Sequence, residues 1–121
     1  MGPAGSARRY AADYRRRLAA ERQDEERRAA DVRARLESLA ELLSRDFGAR
    51  RVGVFGSLGA GRLRADSDVD VYVDRIRRGG YFEALDRATE LIGRPVDLIE
   101  LSKAPRSLID RIEEEGEDVH A

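Results

Sequence analysis

The fold is decided by residues 54–71, VFGSLGAGRLRADSDVDV, where a short apolar run enters a glycine-rich turn and an alternating segment follows. Residues 51–55 are short, rich in β-branched side chains and bounded by glycine, which predicts a buried strand. In residues 68–74 valine occupies every second position, which predicts a second strand with these residues on its other face: Asp68, Asp70, Tyr72 and Asp74. Between the strands, the glycine and serine residues predict a tight turn and the start of a short helix.

A long helix is predicted before these strands. Residues 6–47 contain no glycine or proline and are rich in Ala, Arg, Glu and Leu, as in a strong helix former. Its second half has apolar residues every three or four positions and is expected to pack on the core: Ala29, Val32, Leu36, Leu39 and Leu43. Its first half offers Tyr10, Tyr14 and Leu18, and residues 21–28 contain no apolar residue. We expect this half to leave the core, as part of one helix of roughly 60 Å.

The remaining elements follow the turn signals. A helix is predicted over residues 81–92, closed by Gly93, and a strand over residues 95–101. A last helix is predicted between Pro105 and Gly116, and residues 117–120 are compatible with a short final strand. This order predicts an α/β (α+β) domain in which helices pack on a sheet.

Composition excludes several kinds of site. The chain has 121 residues, the size of one domain, with no cysteine and with His120 as its only histidine. Thiolate or multi-histidine metal sites and a histidine base are therefore excluded, and carboxylates become the default catalytic groups. The net charge of -1 gives no general attraction to nucleic acid, so we expect no direct nucleic-acid binding. No apolar run approaches the ~20 residues of a membrane span and no signal-peptide segment is seen, so we expect a cytoplasmic protein without membrane contact.

The glycine turn and the second strand predict a site for phosphate and metal. A glycine–serine turn such as Gly56-Ser57, at the start of a helix, exposes backbone N–H groups that bind phosphate oxygens. Asp68 and Asp70 lie on one face of a strand and offer the oxygen ligands that hard divalent cations prefer. Adjacent phosphate and metal sites suit metal-assisted phosphoryl or nucleotidyl transfer.

Other known motifs do not fit the same residues. A Walker loop needs a lysine after glycine, and the only lysine, Lys103, follows Ser102. A dinucleotide fingerprint fails because Arg64 stands at the third glycine position. Without a ligand, the paired aspartates would be exposed strand carboxylates, Ser57 a helix cap and Arg64 a surface residue.

The spacing resembles a known signature. Gly56-Ser57, ten intervening residues (58–67) and then Asp68-x-Asp70 are similar to the Gly-Ser-x10-Asp-x-Asp motif of the DNA polymerase beta nucleotidyltransferase superfamily. The resemblance is to its minimal nucleotidyltransferase (MNT) members, over residues 30–120, and includes further positions: Gly61, Arg64, Asp66, Ser67 and Asp97. Two positions depart from the family pattern. Ala60 stands where the family usually has arginine, and His120 stands near a position where the family usually has an aromatic residue.

The resemblance implies a fold, a reaction and residue roles. The fold would be the small mixed sheet of nucleotidyltransferases, flanked by helices, with the long N-terminal helix added. The reaction would be Mg²⁺-dependent transfer of AMP from ATP, with two ions held by Asp68, Asp70 and Asp97. Gly56, Ser57 and Arg64 would bind the nucleotide, and Asp97 would also help to deprotonate the acceptor. Residues 29–121 would form the nucleotidyltransferase domain and residues 1–28 a helical extension to which no family role applies.

The resemblance also implies a partner. MNT proteins are often antitoxins encoded beside HEPN-type ribonuclease toxins, so the expected acceptor is a hydroxyl of such a toxin, with a homo-oligomer through the N-terminal helix as a further expectation. A small-molecule (aminoglycoside-type) nucleotidyltransferase and a non-catalytic antitoxin that acts by binding alone remain alternatives. Since the predicted elements use up residues 30–120, we expect no concave pocket of the ~300 Å³ that a small acceptor needs.

Overall fold

The computed structural model describes residues 3–120 of the chain. Residues 1–2, at the start of the predicted helical extension, and residue 121, at the end of the predicted nucleotidyltransferase domain, lie outside this range. The helices and strands follow in the order α1 (Pro3–Arg33), α2 (Leu36–Phe47), β1 (Val52–Phe55), β2 (Val69–Val73), α3 (Tyr81–Ile92), β3 (Val96–Glu100), α4 (Arg106–Glu115) and β4 (Glu117–His120). One turn of 3-10 helix, Leu101–Lys103, connects β3 to the loop before α4.

The four strands form one mixed sheet in the order β3-β2-β1-β4. β1 is antiparallel to both β2 and β4, whereas β2 and β3 run parallel. The crossover between these parallel strands is α3, as a parallel pair requires. The predicted mixed sheet with flanking helices is confirmed, and so is the final strand over residues 117–120.

Helices cover both faces of the sheet. The valines of β1 and β2, with Val96 and Leu98 of β3, pack against α2 and α3 in the main core. On the opposite face Phe55 and Tyr72 pack against Ile112 of α4. Gly53 is required beneath Tyr72, because a Cβ atom there would lie 2.1 Å from Cζ of the ring. Tyr72 donates a hydrogen bond from its hydroxyl to Oδ1 of Asp118 in β4, at 2.7 Å.

The long N-terminal helix is confirmed, but it does not run unbroken to Phe47. It is interrupted at residues 34–35, where the backbone N–H of Arg35 bonds to the carbonyl of Val32 instead of continuing the α-helical pattern. The guanidinium of Arg35 meanwhile donates to the carbonyls of Leu91 and Ile92 at the end of α3. The break separates α1 from α2, and α2 packs on the sheet.

The short helix predicted after β1 is wrong. Residues 56–61 form consecutive turns, in which the N–H groups of Ala60 and Arg62 both bond to the carbonyl of Ser57. Gly56 and Gly61 have φ angles of 73° and 78°, a left-handed conformation that a right-handed helix cannot contain. We call residues 56–64 the glycine turn. Among the described residues, no helix is both long and apolar enough to cross a membrane.

Candidate active site

Three carboxylates lie on one face of the sheet, at one end of the two parallel strands. Asp70 in β2 and Asp97 in β3 are register partners, so their side chains project from the same face of the sheet. Asp68 stands immediately before β2, two positions from Asp70 and on the same side of the chain. The structure therefore places the three carboxylates selected from the sequence on the same side, near enough for the charges of Asp97 and Asp68 to act on Asp70.

Asp70 is the most enclosed of the three. Burial raises the pKa of its carboxyl group, and the negative charges of Asp97 and Asp68 raise it further, against a smaller opposing effect of Arg111. Within residues 3–120 the side chain of Asp70 forms no ion pair and accepts no hydrogen bond. A half-buried carboxylate beside two like charges favours a bound cation.

The glycine turn begins against this carboxylate. Gly56 has a φ angle of 73°, and a Cβ atom added to it would lie 2.5 Å from Oδ2 of Asp70. Glycine is thus needed at this position for its conformation and also for the close approach. The approach places the backbone of the predicted phosphate-binding turn directly beside the predicted metal site.

A cavity of about 310 Å³ opens along the glycine turn. Ser57 and Arg64, both predicted to bind the nucleotide, line it together with Arg62. Ala60, where the family usually has arginine, is part of the same wall, so arginines 62 and 64 supply the positive charge there. Glu25 of α1, which the sequence does not single out, also lines the cavity.

Helix α1 holds the glycine turn through three contacts. The N–H of Leu63 bonds to the carbonyl of Glu25 at 3.0 Å. Arg28 donates to the carbonyl of Leu63 and Arg33 to that of Leu58, at 3.4 and 3.3 Å. Arg33 also pairs with Glu117 of β4 at 2.7 Å. These contacts span 25 residues or more, and no local sequence pattern signals them.

Arg94 fixes the loop that leads into Asp68. Its Nη2 atom donates to the carbonyls of Arg64 and Ala65 at 2.8 and 2.7 Å. Its Nε atom is buried and has no hydrogen-bond partner. The sequence does not single out Arg94, because its position just after Gly93, at the end of α3, carries no signal of this role.

The donor set fits a magnesium ion. The three carboxylates supply only oxygen ligands, which Mg²⁺ prefers. In the described part of the chain, no three Asp, Glu or His side chains converge closely enough to enclose an ion. An open arrangement agrees with magnesium sites of phosphate-transferring enzymes, where one or two carboxylates hold the ion and substrate phosphates and water complete its shell.

The expectation that no acceptor pocket exists is wrong. An open cavity of about 400 Å³ lies at the other end of β3, lined mainly by apolar side chains: Tyr81, Phe82, Leu98, Ile99, Ala104 and Leu108. Ile99 is two positions from Asp97 on the same face of β3. Phe82, one of its lining residues, is 78% exposed.

The model of the polymerase beta nucleotidyltransferase family matches residues 37–120. The chain therefore belongs to this family and is a nucleotidyltransferase, which confirms the resemblance seen in the sequence. The match begins in α2, so all of α1 lies before it. No curated protein matches the chain.

Solved structures agree with the fold. A protein described as a minimal nucleotidyltransferase is 28% identical, with a TM-score of 0.64 over 74% of this chain and 93% of its own. A toxin–antitoxin complex with AMP-PNP is 24% identical, with a TM-score of 0.59 over 68% and 70% of the two chains. A complex of a tri-AMPylated HEPN toxin from Shewanella oneidensis with its MNT antitoxin is 19% identical, with a TM-score of 0.57 over 72% and 70%.

Proposed function

We propose that this nucleotidyltransferase transfers AMP from ATP to a hydroxyl of a partner protein, and that it is the cytoplasmic antitoxin of a HEPN-type ribonuclease toxin. The observation that carries the reaction is the placement of Asp70 and Asp97 as register partners on one face, with Gly56 packed against Asp70. Two structural neighbours support the partner, one containing AMP-PNP and one a tri-AMPylated HEPN toxin.

The proposal assigns nucleotide binding to the glycine turn and metal binding to the carboxylates. Gly56 and Ser57 present the glycine turn to the β- and γ-phosphates, and Arg64 adds positive charge at the same cavity. Asp68, Asp70 and Asp97 would hold Mg²⁺, which when bound stabilises the charge that develops on the phosphate oxygens. Two ions are expected from the family pattern.

Asp97, like Asp68, is exposed to solvent, from where an acceptor arrives, whereas Asp70 is half-buried. Asp97 would take the proton of the acceptor hydroxyl as the oxygen attacks the α-phosphorus. The bond between the α-phosphorus and the bridging oxygen to the β-phosphate breaks, and pyrophosphate leaves with that electron pair. The products are the AMP ester of the acceptor and pyrophosphate.

A small-molecule acceptor is the second candidate, because the apolar cavity beside Ile99 has a suitable volume of about 400 Å³. A protein acceptor is favoured by the openness of the carboxylate group. Asp97 lies on the protein surface rather than inside that cavity, and a partner surface can then position its hydroxyl through contacts elsewhere.

The test is incubation of the full chain with labelled ATP, Mg²⁺ and the product of its neighbouring gene, which the proposal expects to be a HEPN-type protein. Mass spectrometry should show that protein heavier by one or more AMP units. Asp70→Asn should abolish the transfer, and the Asp68→Asn/Asp70→Asn double variant should be no worse, because one lost ligand already dismantles the site. Asp86→Asn, on the exposed face of α3, is the matched control and should retain full activity.

Other outcomes would replace the proposal. Inhibition of the toxin without a mass change would identify an antitoxin that acts by binding alone. Labelling of an aminoglycoside instead of the toxin would identify the small-molecule enzyme. Transfer that survives Asp70→Asn at the wild-type rate would contradict the metal assignment.

A further inference from the structure

The first part of α1 projects from the rest of the molecule. We call residues 6–23 the α1 arm; all of their side chains are exposed except that of Ala11, which is half-buried. The first hydrogen bond between α1 and the sheet domain is made by Glu25. At 1.5 Å per residue the α1 arm is about 27 Å long. A helix this exposed gains no stability from tertiary packing and is an available surface.

One face of the α1 arm is apolar. Ala7, Ala11, Tyr14 and Leu18 are spaced by four, three and four residues, which aligns them along the helix. Tyr14 is 57% and Leu18 46% exposed, and Tyr10 at the edge of the stripe is 76% exposed. On the same face Glu21 and Glu25 follow, and apolar residues resume at Ala29 and Val32, which are buried in the core. A molecule that covers the stripe would therefore also approach the sheet domain.

A line of arginines runs beside the stripe. Arg8, Arg15 and Arg22 are seven residues apart, which places them on one flank of the helix, and none forms an ion pair with any of residues 3–120. Arg16, farther round the helix, is instead paired with Asp13. A shallow groove of about 460 Å³ on this flank is lined by Arg15, Leu18 and Arg22, among others.

We propose that the α1 arm binds an amphipathic helix of a partner protein, with apolar residues on the stripe and carboxylates opposite Arg8, Arg15 and Arg22. A helix repeats its face every seven residues, as this arginine line does, so one straight partner helix can meet all three charges. The apolar stripe favours protein over nucleic acid as the partner, because a charged phosphate backbone would make no apolar contact with Tyr14 and Leu18.

A second copy of the α1 arm is a poorer occupant. Antiparallel pairing about a two-fold axis at Arg15 sets Arg15 against its own copy and Arg8 against Arg22 of the other copy. Like charges then face each other along the whole flank, which opposes association. The charge pattern therefore selects an acidic partner over self-association.

Docking on the α1 arm would bring the partner to the candidate site. The stripe leads to Glu25, which lines the cavity shared by Ser57 and Arg64. The identification of this partner as the acceptor protein rests on the proposed function, whereas the docking itself does not.

The probe is a synthetic helical peptide of about 20 residues, with leucines along one face and glutamates at seven-residue spacing beside them. Fluorescence anisotropy should show binding to the full chain. Arg8→Glu/Arg15→Glu should weaken it about tenfold. The matched control, Arg9→Glu/Arg16→Glu, makes the same charge change one residue along the helix, off the flank of the stripe, and should change binding less than twofold.

Charge exchange makes the test specific. A peptide with lysines in place of the glutamates should bind Arg8→Glu/Arg15→Glu better than the wild type. Equal loss in both double variants, or no binding of the acidic peptide, would overturn the proposal. So would preferential binding of an RNA oligonucleotide, or a dimer mass in light scattering that Arg8→Glu/Arg15→Glu converts to monomer. Because the peptide assay needs no ATP, failure of AMP transfer would leave its result standing.

Discussion

At the scale of single residues, the candidate site depends on how closely Gly56 approaches Asp70. Burial and two like charges both disfavour the ionised form of the Asp70 carboxyl group, so this form is unfavourable until a cation is present. Gly56 contributes no side chain and is nevertheless as constrained as the aspartates, because both its φ angle and its neighbour exclude a Cβ atom.

We expect Gly56→Ala to abolish nucleotide binding and to destabilise the fold. The left-handed conformation costs a non-glycine residue about 1–2 kcal/mol, and the Cβ atom also displaces Asp70. Gly48→Ala is the control, because Gly48 has a φ angle of 77° but no atom within 4 Å of its added Cβ. Urea unfolding should show a similar loss from conformation in both, while ATP titration should fail only for Gly56→Ala. Equal nucleotide affinity of the two variants would contradict the role of the close approach.

At the scale of elements, side chains far apart in sequence fix the loops around the sheet. Asp74, just after β2, accepts hydrogen bonds through Oδ1 from the N–H groups of Arg50 and Arg51, at 2.9 and 3.1 Å. Burial alone would raise the pKa of Asp74, but these N–H groups outweigh it and hold the pKa below its ordinary value of 3.8.

The bonds of Asp74 predict a pH dependence of stability. Because the pKa is lower in the folded state, ionised Asp74 stabilises the fold above pH 3.8, and this contribution is lost as the pH falls through the folded-state pKa. Asp74→Asn keeps an acceptor oxygen but no charge, so its free energy of unfolding should lie below that of the wild type at pH 7. Urea unfolding should show this difference shrinking toward pH 2. A difference that is constant with pH would exclude the linkage.

The contacts of α1 with the glycine turn predict an effect on nucleotide affinity. Arg28→Ala/Arg33→Ala removes the donors to Leu63 and Leu58 and should raise the KM for ATP about tenfold, since a looser turn binds phosphate less well. Arg27→Ala/Arg16→Ala removes two arginines of the same helix that pair only with Asp24 and Asp13 in the described structure. Initial-rate kinetics should show the KM unchanged in this control. An unchanged KM in the first variant would show that the turn holds its own shape.

The sequence predicts what depends on local spacing. The alternation in residues 68–74 places Asp70 correctly, and the Gly-Ser spacing indicates the family that the comparison confirms. The helix expected after Ser57 fails because two left-handed glycines impose turns. The sequence also misses hydrogen bonds that join distant segments. They are donated by these side chains: Arg28, Arg33, Arg35 and Arg94. Such contacts follow from the tertiary packing of α1 and α3, which no short window of sequence contains.

At the scale of the whole molecule, the chain combines a family domain with a helix outside the family match. Residues 37–120 supply the sheet and the carboxylates, and α1 supplies both the support of the glycine turn and the exposed α1 arm. The predicted boundary between residues 28 and 29 stays a prediction, and the contacts of Glu25 and Arg28 with Leu63 cross it.

This division predicts the effect of shortening the chain. Removal of residues 1–23 should leave ATP binding within twofold of the full chain, because Glu25, Arg28 and Arg33 remain. Association with the toxin should weaken strongly, as measured by calorimetry with both proteins at the same salt concentration. Unchanged association would show that the α1 arm is only a solvated helix.

Helix α1 also has a mechanical consequence. It is one uninterrupted helix of 31 residues, roughly 46 Å long, and its bonds to the glycine turn all come from its last nine residues, 25–33. Such a rod behaves as a lever whose fulcrum is the contact with Leu58 and Leu63. A force applied near Tyr14 acts over a longer length of helix than residues 25–33, which are bonded to the glycine turn. Torque on the free end is thus delivered, with mechanical advantage, to the glycine turn.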